Sequence, residues 1–181
     1  MQRYLHTKFS KQDLILQMHF PLSFNKITLS PIFVLILLSG CLSEPTFQIS
    51  KEMDRGGWTI ADSISGSFKI GDTESTFQLE ATSWVTEDLP TYNHYIFVSI
   101  YKKQSKEVLF SGQYNLDMFR PENGEPLGSK SENSTHRTFI LLKGIKFKNP
   151  GEYELKVKQL DRLDPMPGVQ KLELKLVNED T

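Results

Sequence analysis

The one cysteine of this 181-residue chain is Cys41. It stands where an apolar run meets a polar remainder, in "SPIFVLILLSGCLSEP", residues 30 to 45. A lone thiol closes no internal disulfide, and an exported chain seldom carries an idle one, so Cys41 is expected to react with a group from outside the chain. Other residue types capable of chemistry are arranged less tellingly. His94 and His136 lie far apart and lack carboxylates at ligand spacing, which makes no metal signature; each is expected to be solvated or hydrogen-bonded. The serines of "DSISGS" do not form the Gly-x-Ser-x-Gly elbow and read as the polar face of an edge strand. Glu87 and Asp88 are adjacent, so in a strand they would point to opposite faces rather than work as an acid and base. They read as a solvated loop. Trp58, Trp84, Tyr92 and Tyr95 could stack on a sugar ring, against the ordinary reading of core or sheet-edge packing. An esterase-like site would need a Ser/His/acid cluster that only His94 or His136 could supply. No catalytic residue, cofactor site or metal site is expected, and the chain is not expected to be an enzyme.

The elements that would position Cys41 lie ahead of it. Ile27 to Leu38 has the length of a signal-peptide apolar region and falls short of the roughly 18 apolar residues of a membrane span. Lys26, Lys11, Lys8 and Arg3 precede or open it, against the single acid Asp13, as the cytoplasmic side requires. Residues 1–40 therefore read as a cleaved signal peptide. Forty residues is long for one, and Met18 is a candidate start that would give "MHFPLSFNKITLSPIFVLILLSG", of ordinary length. "LSGC", Leu38 to Cys41, resembles the lipobox of bacterial lipoprotein precursors at every position. Small Ser39 and Gly40 let an extended backbone enter a protease groove, while the thiol can be alkylated by a diacylglycerol at the membrane face. Cys41 is thus the expected lipidation site. Each buried methylene contributes about 0.8 kcal/mol, and two or three chains hold permanently where one does not.

Losing the first 40 residues removes four basic residues and one acid, taking the net charge from −1 to −4. A mildly acidic chain with both signs interspersed has no electrostatic footprint for nucleic acid. Residues 41–56, with Pro45 and Gly56–Gly57, read as a tether whose weak alternation around Phe47 and Ile49 leaves room for a short first strand. Residues 57–178 read as one domain. Period-two alternation marks strands in "ISGSFKI", "TFQLEA", "YIFVSIY", "EVLFSGQYNL", "RTFILLKGIKF", "NPGEYELKVKQL" and "VQKLELKLV". The first two are expected to form a hairpin through "GDTES", and the next two through "KKQSK". Residues 117–136 lack periodicity and read as a long, exposed loop, in which Pro121 and Pro126 argue against a regular hairpin around Asn123–Gly124. Seven or eight short strands without a helix predict an all-β, antiparallel β-sandwich, immunoglobulin-like or jelly-roll.

From Tyr92 onward the order of features resembles the gliding-motility lipoprotein H (GldH) family of Bacteroidota. The similar residues are "TYNHYIFVSIY", Tyr114 and Leu116, Asn123–Gly124, Leu127–Gly128, then Phe147, Gly151, Tyr153, Gln159, Arg162 and Gly168–Val169. They fall between residues 56 and 177 and are best after 107. The chain departs from the family pattern at Asp161, where the family has Met, at Ser129–Lys130 and in "QKLELKL". The resemblance implies a non-catalytic envelope lipoprotein, held by acyl chains on Cys41 and associated with other gliding or type IX secretion proteins. "LSEPT" after Cys41 has one acid and lacks the acidic run that looks like a surface-export signal in this phylum, so the periplasmic face of the outer membrane is expected. The alternative is a carbohydrate- or surface-binding lipoprotein using the aromatic residues above.

Overall fold

The computed structural model describes residues 45–180; Cys41 and the segment before it lie outside them. Nine strands form two antiparallel sheets: β1 (Phe47–Glu52), β2 (Ser63–Ile70), β3 (Phe77–Val85), β4 (Asn93–Lys102), β5 (Val108–Asp117), β6 (Ser129–Ser131), β7 (Ser134–Ile145), β8 (Gly151–Gln159) and β9 (Val169–Asn178). The larger sheet has the order β1-β9-β3-β7-β6 and the smaller β2-β8-β4-β5. Alternation does what it should. Leu172, Leu174 and Leu176 on β9, Leu79 and Ala81 on β3, and Ile96, Val98 and Ile100 on β4 are almost wholly buried, while their neighbours in each strand turn outward.

The pairings are nested: β1 with β9, β2 with β8, β3 with β7, and β4 with β5. A long antiparallel ribbon folded at the β4–β5 turn and then rolled has this order, so the sandwich is a jelly-roll and not the ABED/CFG arrangement of immunoglobulin constant domains. Strand β6 is a three-residue addition at the margin.

Rolling corrects two expectations. The stretch "GDTES" does not close a hairpin: β2 pairs with β8 and β3 with β7 and β9, so this connection carries the chain from one sheet to the other. Asp72 shapes it by accepting hydrogen bonds from the Glu74 amide (2.9 Å) and the Ser75 hydroxyl (2.7 Å). The six-residue strand β1, around Phe47 and Ile49, pairs with β9 along its length. The loop expected over 117–136 is shorter, because β5 runs to Asp117, β6 occupies Ser129–Ser131 and β7 starts at Ser134. Within it, Arg120 N–H donates to Glu125 O (2.8 Å) and a bridge joins Phe119 to Pro126, a small irregular reversal without a ladder. The "KKQSK" join does link neighbours, with Lys102 N–H on Glu107 O at 2.8 Å.

Four aromatic rings anchor the core. Phe147 lies 5.8 Å from Phe68, 5.4 Å from Phe77 and 4.7 Å from Tyr153, all near edge-to-face, the arrangement ring quadrupoles favour.

Candidate binding surface at the loop-bearing end

The registers place four connections at one end of the sandwich: β1–β2 (53–62), β3–β4 (86–92), β5 to β7 (118–133, which includes β6) and β8–β9 (160–168). The chain enters β1 at the opposite end, where Phe47 pairs with Leu176. Two glycines hold the connections together. Gly57 (φ 104°) lies so close to the β8–β9 connection that a Cβ would stand 2.1 Å from Met166 O, and at Gly168 (φ 79°) one would stand 2.3 Å from Leu89 N. Paired bonds between Trp58 and Met166 (3.0 and 2.7 Å) and a bond from Thr86 N–H to Gly168 O (2.8 Å) complete the packing. Acids outnumber bases in these connections.

One groove, of about 530 Å³, is lined by Thr91, Asn93, Tyr95, Gln113 and the turn from Leu160 to Leu163. Buried Gln159 builds that turn. Its Nε2 donates to Trp58 O (3.3 Å) and Leu163 O (3.2 Å), and its Oε1 accepts the Asp161 amide (2.7 Å). Asp161 Oδ1 accepts the Tyr95 amide at 2.9 Å, whereas Oδ2 is buried without a partner. Burial, offset in part by the Tyr95 amide, pushes this carboxyl up to about 6. Leu160 and Leu163 stand at the rim, 44% and 47% exposed. Asn93 is buried and donates to Asn115 Oδ1 at 2.6 Å.

A second groove, of about 560 Å³, shares Thr91 and lies between the β3–β4 connection and the segment after β5, lined by Leu89, Pro90, Tyr92, Phe119, Pro121 and Pro126 among others. Lys130 reaches Glu87 Oε1 (3.2 Å) across its mouth.

The aromatic residues considered for sugar stacking do not assemble. Trp58 is fully buried, with Nε1 donating to Asp62 O (3.1 Å). Trp84 lies on the larger sheet between His136 (ring centroids 5.9 Å) and Lys171 Nζ (4.7 Å). Tyr92 and Tyr95 line different grooves. His94 is wholly buried, and its Nε2 meets Ser83 Oγ at 2.8 Å. This resembles the Ser–His pair of a nucleophilic triad, but both side chains are sealed from solvent and His94 Nδ1 has no partner, where a triad would place an orienting acid. Desolvation pushes His94 down to about 4. Among the described residues no group of three His, Cys, Asp or Glu could hold a metal ion, and no helix is long and apolar enough to cross a membrane.

Sequence reasoning singled out Asp161 only as a departure from a pattern. Ser83 and the rim leucines passed unnoticed, since nothing local marks a residue whose partner lies on another strand. Conversely, several residues of the pattern prove architectural: Phe147 and Tyr153 are core rings, Gln159 builds the Asp161 turn, and Gly168 admits Leu89.

No curated protein matches the chain. The family model described as GldH lipoprotein matches residues 46–176, from the residue before β1 almost to the end of β9, a span that holds both sheets and all four connections. The chain belongs to the GldH lipoprotein family, and with it to the lipid-anchored envelope proteins associated with gliding motility.

Proposed function

We propose that the mature protein begins at an acylated Cys41 and serves as a non-catalytic, membrane-tethered binding module of the gliding machinery, on the periplasmic face of the outer membrane of a member of the Bacteroidota. Family membership supports the setting. The observation that carries the role is the polarity of the sandwich: the chain enters at one end and the grooved connections lie at the other. Residues 42–46 span at most roughly 3.5 Å each, so a lipid on Cys41 would keep the entry end near the bilayer and present the connections to partners. Confinement to a surface raises the effective concentration of those partners without any added contact. The burial of the Ser83–His94 pair favours the non-catalytic reading, and the scattering of Trp58, Trp84, Tyr92 and Tyr95 disfavours the carbohydrate alternative. Deletion of the gene in a gliding host tests the role: loss of colony spreading is expected, and normal spreading together with normal secretion would reject it.

A further inference from the structure

An ionised carboxylate held under a protein surface ordinarily finds a cation or a full set of donors. Asp161 has neither. Its Oδ1 is satisfied by the Tyr95 amide (2.9 Å), its Oδ2 by nothing, and none of the ion pairs among the described residues includes it, although Arg162 is its neighbour. The turn that carries the carboxyl is also held, because the Asp161 amide is tied to Gln159 Oε1 (2.7 Å) and Gln159 in turn to Trp58 O and Leu163 O.

We propose that the groove beside Asp161 receives a lysine side chain of a partner protein, with the ammonium on Oδ2 and the methylene stem across Leu160, Leu163 and the Tyr95 ring. The proposal rests on reading the loop-bearing end as the partner-binding end. Three features select this ligand. The surrounding connections are net acidic, which favours a basic partner. Only one carboxylate oxygen is free, which suits a compact ammonium and denies a guanidinium its two-point fork. The half-exposed leucines and Tyr95 offer the apolar surface along which a lysine stem lies. A metal ion would need further anionic or imidazole ligands, and among the described residues no such group is assembled. Oδ2 is sealed from solvent in the free protein, so entry of the ammonium requires the side chains over it to move aside.

The test is a titration followed by amide NMR. The buried core residues lie between Trp58 and Leu176, with Phe47, Ile49 and Met53 packed against them, so a soluble form starting at Leu42 retains all of them. At pH 7.5 the probe is Nα-acetyl-lysine N-methylamide, compared with the norleucine and arginine counterparts. Saturable shifts of the Tyr95 and Asp161 amides are expected with lysine, at least tenfold weaker with norleucine and with Asp161→Asn, and severalfold weaker with Leu163→Ala, which keeps the carboxylate. Absence of saturation, equal binding by norleucine, or undiminished binding to Asp161→Asn would overturn the site; equal binding by arginine would overturn its assignment to lysine. Motility plays no part in the measurement, so its failure removes the lysine site and leaves the gliding role to the deletion strain.

Discussion

Ser83 on β3 and His94 on β4 meet at 2.8 Å across the interior, a hydrogen bond that joins the two sheets of the sandwich. A second polar link lies nearby, where Arg137 Nη1 of β7 donates to Asp117 O of β5 at 2.7 Å. The Ser83–His94 bond pins two strands that follow one another in sequence but belong to opposite layers, close to the end that carries the grooves.

Removing the hydroxyl therefore leaves His94 with both ring nitrogens unsatisfied. Ser83→Ala is expected to lower stability by about 1–3 kcal/mol, seen in urea denaturation as an earlier midpoint with an unchanged slope. A midpoint equal to that of the wild type would show that the bond contributes nothing net.

The same histidine makes stability depend on pH. Its folded value, about 4, lies below the ordinary 6.5, so between the two the unfolded chain binds a proton that the folded chain refuses. The stabilisation is present above about pH 6.5 and disappears as pH falls toward 4. In His94→Gln the thermal midpoint is expected to fall less steeply over this window, as checked by calorimetry at successive pH values.

Asp161 acts with the opposite sign. Its folded value, about 6, lies above the ordinary 3.8, so the folded chain holds a proton that the unfolded chain has released. Its favourable contribution is present at low pH and is lost as pH rises through about 6. Asp161→Asn keeps an acceptor for the Tyr95 amide and removes the buried charge, so it is expected to melt above the wild type at pH 7.5 and to lose that advantage near pH 4. A constant difference across pH would show that Asp161 ionises in the folded state as freely as in water.

Phe147, wholly buried among Phe68, Phe77 and Tyr153, holds the end of the core nearest the chain's entry. Phe147→Ala is expected to cost about 3–5 kcal/mol, and Phe147→Leu clearly less. Denaturation of both variants checks the order.

Strands were legible in the sequence because side chains in a half-buried strand alternate, as with Leu172, Leu174 and Leu176. Strand partners were not. Short connections such as 71–76 suggest hairpins, but in a rolled ribbon they cross between layers, and of the two predicted hairpins only the one at the centre of the ribbon, β4–β5, pairs its own flanks. The same geometry hid the polar contacts. Ser83 meets His94 across the two sheets, and Asp161, in the turn after β8, meets Tyr95 on β4, so no spacing announces either pair. Residues 117–136 read as unstructured because Pro121 and Pro126 interrupt any alternation, while Ser129–Ser131 is too short to show one.

The role and the anchor are tested together by complementation. In a gliding host lacking this gene, spreading is scored after return of the wild type or of Cys41→Ala at matched protein levels. The account predicts that the wild type restores spreading and sediments with membranes, while Cys41→Ala is soluble and does not restore it. Normal spreading without the gene, or full rescue by a soluble Cys41→Ala protein, would contradict it.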